Sequence, residues 1–319
     1  MAEKIKVLCV TGPTASGKTA LAIALAKALS GEIICADAMQ ISDRLLIGTA
    51  RPTSEEQDGV PHHLFGFADP RIPFSCADYV PLAKAVIEDI RARGRLPIFC
   101  GGTGLYLDSV MRATAFSEGE KKDTKVADAL RAEAKEHGIM GIWQRLSEVD
   151  PDAARAIHPN NEKRVIRALE IYLATGITKT EWDARSHDVP SPYEPLYIGL
   201  DYRNRRILHE RIARRVDLML DMGLENEVRE LYQGGYLPKT STAAQAIGYK
   251  EFLSYLAGEM SLDEAKEQLC TATRRYAKRQ LTWFRRNPDM HWLYPDDYPE
   301  EARGEKLLSS ALAIVSSRL

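Results

Sequence analysis

The sequence predicts an α/β fold: a P-loop-type parallel sheet core flanked by helices, with a small all-helical inserted domain. Three observations predict it. The first is Gly12-Pro13-Thr14-Ala15-Ser16-Gly17-Lys18-Thr19, set between the apolar run Val7-Leu8-Cys9-Val10 and an alanine- and leucine-rich segment from Ala20 to Leu29. Strand, glycine-bounded loop and helix is the context in which G-x-x-x-x-G-K-[ST] cradles phosphates. Loop amides and a helix N-terminus present positive partial charge to an anion. Lys18 adds a full charge, and the Thr19 hydroxyl can reach a magnesium ion. The second observation is that the strand patterns are apolar throughout, which suits parallel strands covered on both faces. The third is a change near Met111, after which helical patterns follow one another without a strand until Leu196. The expected division is therefore 1–112 as the first part of the core, 113–195 as the helical insert, and 196–319 as the second part of the core with basic C-terminal helices.

Composition narrows the class. At 319 residues the chain is long for one compact core and suits two domains or one with an insertion. A 45% hydrophobic and 28% charged composition is that of a soluble globular protein. The net charge of −2 gives no global pull on nucleic acid, so any such binding must come from local basic patches. Cys9, Cys35, Cys76, Cys100 and Cys270 are scattered, with no C-x-x-C pair. They are expected as reduced thiols in a cytoplasmic protein. The first strand pattern begins too early to leave room for a signal peptide, and no apolar run approaches a membrane span, so no membrane partner is expected.

The elements follow in order. A first strand over Lys6 to Thr11 precedes the loop. The helix behind it carries Leu21, Leu25 and Leu29 as a core-facing stripe and stops at Gly31. A second strand, Glu32 to Ala36, runs into Asp37-Ala38-Met39-Gln40. Carboxyl ends of strands gather on one edge of an open α/β sheet, where ligands bind, so Asp37 is expected to face the same crevice as the loop. Asp is also a common helix N-cap, which is the structural alternative. The stretch through Ile47-Gly48-Thr49-Ala50-Arg51-Pro52, Pro61-His62-His63-Leu64 and Asp69-Pro70 reads as loop. Its paired histidines lack partners at metal-ligand spacing. A helix over Ser75 to Arg93 leads to a third strand, Leu96 to Cys100. That strand ends in Gly101-Gly102-Thr103-Gly104, which serves either a close-approaching ligand or a tight packing turn.

The charged run 117–125 is expected to be exposed. Helices follow over Val126 to His137 and from the Asp150-Pro151 cap, and another over Asn161 to Thr175 closes at Gly176. Arg155, Lys163, Arg164 and Arg167 lie near His158-Pro159-Asn160-Asn161. The sheet resumes at Leu196 to Asp201, and Asn204 caps a helix carrying Leu208, Ile212, Val216 and Leu220 on one face. Gln245 to Lys250 opens another helical segment. The helix from Ser261 to about Arg286 ends with Arg274, Arg275, Lys278, Arg279, Arg285 and Arg286, with Tyr276, Trp283 and Phe284 between them. Basic charge with interleaved aromatics fits a nucleic-acid surface, and a solvated helix face is the bland alternative.

These segments resemble one family. Gly12 to Thr19, Asp37 to Gln40, Ile47 to Pro52, Pro61 to Leu64, Gly101 to Tyr106, Arg164 to Glu170, Arg211-Ile212 with Arg215-Val216-Asp217, Ile247 to Glu251 and Thr273 to Arg285 look like the signature blocks of tRNA dimethylallyltransferases, in order over nearly the whole chain. The resemblance implies transfer of a dimethylallyl group from dimethylallyl diphosphate to N6 of the adenosine 3′-adjacent to the anticodon, with Mg2+. The family usually has serine after the Asp and tyrosine two residues beyond the Gln. Ala38 and Ser42 stand there, and Asp43-Arg44 and Leu46 also depart from the usual run.

The exocyclic amine of adenine is a weak nucleophile that gains from a base, and Asp37 is the best-placed carboxylate. Negative charge grows on the leaving diphosphate, where the loop amides, Lys18 and a magnesium held by Thr19 are preorganised. Asp37, Thr103 and Lys18 are thus the expected catalytic residues. Gly12, Pro13, Thr14, Ala15, Ser16, Gly17, Lys18, Thr19 and, on the family's Arg-x-x-x-Arg-x-Asp helix, Arg215 are expected at the diphosphate. The RNA is expected at Asp37, Ala38, Met39, Gln40 and Thr103, at Asn160, Asn161, Glu162, Lys163 and Arg164, at Gln245, Ala246, Ile247, Gly248, Tyr249 and Lys250, and at Arg274, Arg275, Lys278 and Arg279. A monomer is the default. The alternatives are a P-loop small-molecule kinase, an adenylate isopentenyltransferase acting on free nucleotide, and a non-catalytic RNA-binding ATPase. The insert and basic helix favour a polymer substrate over the first two, and Asp37 with Thr103 at one sheet edge favours chemistry over the third.

Overall fold

The computed structural model describes residues 4–112, 124–187, 190–238 and 241–318. They fall into two compact units, Met1–Val110 with Tyr193–Leu319, and Met111–Pro192. Most of the charged run read as exposed, residues 117–123, lies outside the described residues.

The first unit is built on six parallel strands: β1 (Ile5–Thr11), β2 (Gly31–Cys35), β3 (His62–His63), β4 (Leu96–Gly101), β5 (Tyr193–Leu200) and β6 (Met290–Leu293), in the order β3-β2-β4-β1-β5-β6. The placement of β4 sets up the site. It lies between β1 and β2, with Gly101 in register with Thr11 and Cys100 with Cys35. The loops after β1, β4 and β2 therefore leave neighbouring strands at one edge of the sheet. Helix α1 (Lys18–Leu29) packs Leu21, Ala22, Leu25 and Ala26 onto Leu8, Val10 and Ile198. Helix α2 (Cys76–Ala92) starts at a capping box in which Ser75 and Asp78 satisfy each other's amides. Its Tyr79 is fully buried and donates its hydroxyl to Cys35 O at 2.6 Å, bracing the end of β2.

After α3 (Gly104–Met111) the chain enters the second unit: α4 (Thr124–His137), α5 (Ile139–Val149), α6 (Pro151–Ala156), α7 (Glu162–Thr175) and α8 (Lys179–His187). Its core is Leu130, Ile142, Leu146, Val165, Ile166 and Leu169. Buried Asp150 accepts the Ala153 amide at 3.0 Å as the cap of α6 and also the Thr180 hydroxyl at 2.6 Å, tying α8 to that corner.

Back in the first unit, α9 (Arg205–Asp221), α10 (Leu224–Gln233), α11 (Tyr249–Leu256) and α12 (Leu262–Phe284) share a core of Val216, Leu224, Val228, Phe252 and Leu269. Helix α13 (Arg303–Arg318) returns to α1 through Leu307, Ala311 and Val315. Three features differ from expectation. His62 and His63 form a strand, paired with Ile33 and Ile34. The resumed sheet begins at Tyr193 rather than Leu196. Pro195, which reads as a breaker, is tolerated because β6 pairs with β5 only from Tyr197 onward. The strand Met290–Leu293 and helix α13 carry no signal that the motif reading used.

Candidate active site

The loop after β1 is shaped as an anion cradle. Gly12 sits at φ +143, and a Cβ there would meet Leu200 O at 2.7 Å, so only glycine fits. Its carbonyls are already engaged. Pro13 O faces Lys18 Nζ at 3.4 Å, Ala15 O accepts Arg211 Nε at 2.9 Å, and Ser16 O accepts the Tyr202 hydroxyl at 3.4 Å. Among the described residues, the amides of Gly17, Lys18 and Thr19 find no backbone acceptor, as expected for the start of a helix. Ser16 Oγ is buried and unpartnered. A cluster of unspent donors beside an orphaned hydroxyl is what a bound oxyanion would complete.

Asp37 follows β2, and its Oδ1 accepts the Met39 amide at 3.0 Å. The chain then turns instead of starting a helix, so Asp37 is not a helix cap. Thr103 sits in the turn after β4. Its Oγ1 accepts the Ala38 amide at 3.0 Å, and its own amide donates to Ala36 O at 2.9 Å. The glycines around it exist for close approach. A Cβ would lie 2.1 Å from Ala36 O at Gly101, 1.9 Å from Gln280 Nε2 at Gly102, and 2.1 Å from the Trp283 ring at Gly104. The turn is thus both tight packing and site support.

These elements enclose a cavity of about 260 Å³. Thr14, Lys18, Asp37 and Arg215 line it, with Ala38, Met39, Gln40, Gly48 and Thr49 beside them. An apolar wall comes from Ile212, Val216 and Met219 of α9, Ala246, Ile247 and Leu269, and Thr273, Tyr276 and Arg279 of α12 complete the lining. Burial, above all, pushes the Lys18 ammonium below its usual range, and the Arg215 charge adds to this. Nearby thiols and Asp37 oppose it. Burial likewise lowers Arg215, with Asp37 opposing. Two desolvated cations facing one carboxylate form a site that gains from an incoming anion.

The rim is held by Glu227 of α10. Its carboxylate accepts the amides of Leu46, Ile47 and Gly48 at 3.1, 2.8 and 3.1 Å and the Tyr249 hydroxyl at 2.6 Å. Gln40 Nε2 donates to Thr49 O and Ala50 O, both at 3.0 Å.

Not every expected residue meets the cavity. Thr103 does not line it; its hydroxyl holds the Ala38 amide, with the Tyr276 phenol nearby, a positioning task. Tyr249, expected at the RNA, is fully buried because its hydroxyl serves Glu227 and its ring fills the space against Gly48. Gly248 makes the turn before α11 at φ +99, and Lys250 is exposed beside Glu251. Arg279 reaches the cavity, whereas Arg274, Arg275 and Lys278 lie on another face of α12. There, with Arg205, His209 and Arg285, they line a separate groove of about 440 Å³. Asn160, Asn161, Glu162 and Lys163 line an open groove of about 490 Å³ with His158 in the second unit. At the positions where the family pattern departs, Ala38 works through its backbone amide, and Ser42 is buried with its carbonyl accepting Arg51. Neither Glu227 nor Gln280, which falls within the Thr273–Arg285 block, is assigned a role from the sequence, because their partners lie far off in the chain. Among the described residues no three His, Cys, Asp or Glu side chains gather as a metal site. The Thr19 hydroxyl, beside the Cys100 thiol, is the one side-chain oxygen that the loop pattern would offer a magnesium ion.

Comparison with known proteins decides the family. A model described as IPP transferase matches residues 40–287, and one described as isopentenyl transferase matches residues 5–63. The chain belongs to the IPP transferase family. It is 46% identical to the tRNA dimethylallyltransferase of Caldanaerobacter subterraneus subsp. tengcongensis over 297 residues, covering 92% of this chain and 93% of that one. Identity to the Geobacillus thermodenitrificans tRNA dimethylallyltransferase is 49% over 301 residues, 94% and 93% of the two chains. Among solved structures, the full-length tRNA isopentenylpyrophosphate transferase of Bacillus halodurans aligns over 99% of this chain and 98% of its own, with a TM-score of 0.72 and 41% identity. A eukaryotic dimethylallyltransferase acting on tRNA aligns over 99% and 80%, with a TM-score of 0.82 and 29% identity.

Proposed function

We propose that the protein transfers a dimethylallyl group from dimethylallyl diphosphate to N6 of the adenosine 3′-adjacent to the anticodon of tRNA, forming N6-isopentenyladenosine. The observation that carries this reading is the cavity. It sets Lys18, Arg215 and Asp37 beside an apolar wall of Ile212, Val216 and Leu269. Phosphate-binding cations, a base and a surface for a hydrocarbon are the three needs of prenyl transfer to an amine. The adenine leaves its stack to enter, which costs less in an RNA loop than in a duplex. The N6 lone pair forms the new bond to the allylic carbon as the carbon–oxygen bond breaks, and that electron pair leaves with the diphosphate. Asp37 accepts the N6 proton. Lys18, Arg215 and the amides of Gly17, Lys18 and Thr19 stabilise the growing charge on the leaving oxygen. Thr14, Ala15 and Ser16 shape that cradle.

A Mg2+ ion would fit here with Thr19 as its protein ligand and the diphosphate and water supplying the rest, because Mg2+ keeps most of its water and takes few protein groups. When bound it neutralises charge on the departing diphosphate. The RNA backbone takes Arg274, Arg275 and Lys278, the flipped base meets Gln40 and Met39, and neighbouring nucleotides meet the Asn160–Arg164 segment. The reaction is cytoplasmic and carried out by single chains. Among the described residues no helix is long and apolar enough to cross a membrane.

The test is incubation with dimethylallyl diphosphate and unmodified tRNA, followed by mass analysis of the nucleosides. Prenylated adenosine is expected from the parent chain. Asp37→Asn should retain tRNA affinity and lose about 10²–10⁴-fold in turnover, the usual share of a general base. No prenylated nucleoside from the parent, or phosphate transfer from ATP in its place, refutes the reading.

A further inference from the structure

One side chain joins the two loops that must stay in register during the reaction. Gln280 of α12 is 4% exposed. Its Oε1 accepts the amide of Thr14 in the phosphate loop at 2.9 Å, and its Nε2 donates to Gly102 O in the turn after β4 at 3.1 Å. One turn earlier on the same helix, the Tyr276 phenol lies beside both Gln280 and Thr103. Thr103 in turn holds the Ala38 amide, next to Asp37. A path thus runs from the phosphate loop through the Gln280 carboxamide to the Gly102-Thr103 turn, and from the Thr103 hydroxyl to the amide next to the base. Gly102 has no side chain because Gln280 fills that space.

We propose that Gln280 is a positioning residue for the prenyl transfer. It fixes the separation between the cradle that holds the leaving diphosphate and the turn that aims Asp37. The inference rests on the reading above. Two consequences follow from the geometry. Engaging the Thr14 amide takes that donor away from the anion, so the phosphates are gripped by the later amides and the two cations. Spanning both loops with one planar amide also leaves no slack, since a shorter or apolar side chain cannot make both bonds. A displacement of about 1 Å between reacting groups costs about 10²-fold in rate.

The test compares the parent with Gln280→Met and Gln280→Glu, measuring kcat, KM for both substrates, melting temperature and the pH profile. Gln280→Met keeps the volume and removes both bonds. Its kcat is expected to fall about 10–100-fold with either KM changed little. Gln280→Glu supplies a useful contrast. As the neutral acid it offers a carbonyl to Thr14 N–H and a hydroxyl to Gly102 O, matching the amide. As the carboxylate it sets like partial charges against Gly102 O. Its rate, relative to the parent at each pH, is expected to climb toward the parent's as pH falls from 8 to 6. Parent-like kcat in Gln280→Met, or a loss confined to KM, overturns the inference. If Gln280→Met fails to fold, Gln280→Glu decides alone: a rate ratio that does not change with pH overturns it. Absence of transfer by the parent chain overturns the underlying reading itself, a different result from normal transfer by all three.

Discussion

Glu227→Ala tests whether the cavity rim is held from outside the motifs. The carboxylate accepts three consecutive amides, from Leu46, Ile47 and Gly48, and the hydroxyl of buried Tyr249. Leu46 is exposed, so water replaces that bond at little cost. The Ile47 and Gly48 amides and the Tyr249 hydroxyl are the ones left wanting. A bond to a charged acceptor is worth about 1.5–3 kcal/mol, and water reaching a half-buried site recovers part of it, which puts the loss near 3 kcal/mol. At about 2–4 °C per kcal/mol for a unit of this size, melting should drop by about 6–12 °C. Glu227→Gln retains an acceptor for two of the amides and should lose about a third as much. Gly48 and Thr49 line the cavity, and Gln40 hangs on Thr49 O and Ala50 O, so loosening this turn should raise KM for tRNA more than it lowers kcat. Calorimetry and steady-state kinetics on the same preparations give both readouts. An alanine variant that melts with the parent and binds tRNA as tightly would refute the assignment of Glu227 to the rim.

Two other predictions follow from charge. Lys18→Met should abolish tight binding of inorganic diphosphate while raising the melting temperature of the free protein by a few degrees, the exchange expected where a site holds a buried charge for function. Because burial lowers the Lys18 pKa from its ordinary 10.5, the unfolded chain binds a proton that the folded chain lacks between the two values. The parent's stability therefore rises with pH across that window, the stabilisation in Lys18→Met shrinks as pH approaches 10.5, and diphosphate affinity falls as pH climbs through the folded-state value. Calorimetric titration across pH checks all three. For the RNA, replacing Arg274, Arg275 and Lys278 together by alanine should weaken tRNA binding and flatten its dependence on log salt by about 2, since each single-strand phosphate contact contributes about 0.7 to the slope. An unchanged slope would remove that groove from the RNA path.

What was legible in the sequence was local. The phosphate loop is eight contiguous residues whose chemistry is set by backbone and by Lys18, and the Ser75 cap and the Leu21-Leu25 stripe are signals within one or two turns of helix. Asp37 was readable because a strand end in a parallel sheet has a known destination. Gln280 was not, because its meaning is the bond to Thr14, 266 positions away. Glu227 was hidden in the same way, 179 to 181 positions from the amides it holds. The basic run on α12 was read as one surface, but helical periodicity divides it: Thr273, Tyr276 and Arg279 turn to the cavity, while Arg274, Arg275 and Lys278 turn to the groove beside α9. His62 and His63 escaped as a strand because a two-residue edge pairing leaves no periodicity to detect.

The cavity also explains why a phosphate loop suits chemistry at carbon. Preorganised cations and amides act on the oxygen that gains charge, and that oxygen is the same whether the bond broken on its far side leads to phosphorus or to carbon. What must differ is the neighbour of the phosphates. In this protein α9 sets Arg215 between Ile212 and Val216 on the cavity wall, so under the proposed function one helix would offer a charge to the diphosphate and a hydrocarbon surface to the group attached to it. On the proposed reading Gln280 serves the opposite requirement: from α12 it bonds the loops after β1 and β4, which would fix the base against the cradle. On the proposed reading the α9 side of the cavity would select the donor and the α12 side would set the distance over which it is used. On the same reading, a loop that on its own says only polyphosphate becomes, through those two helices, the departure site of a carbon electrophile.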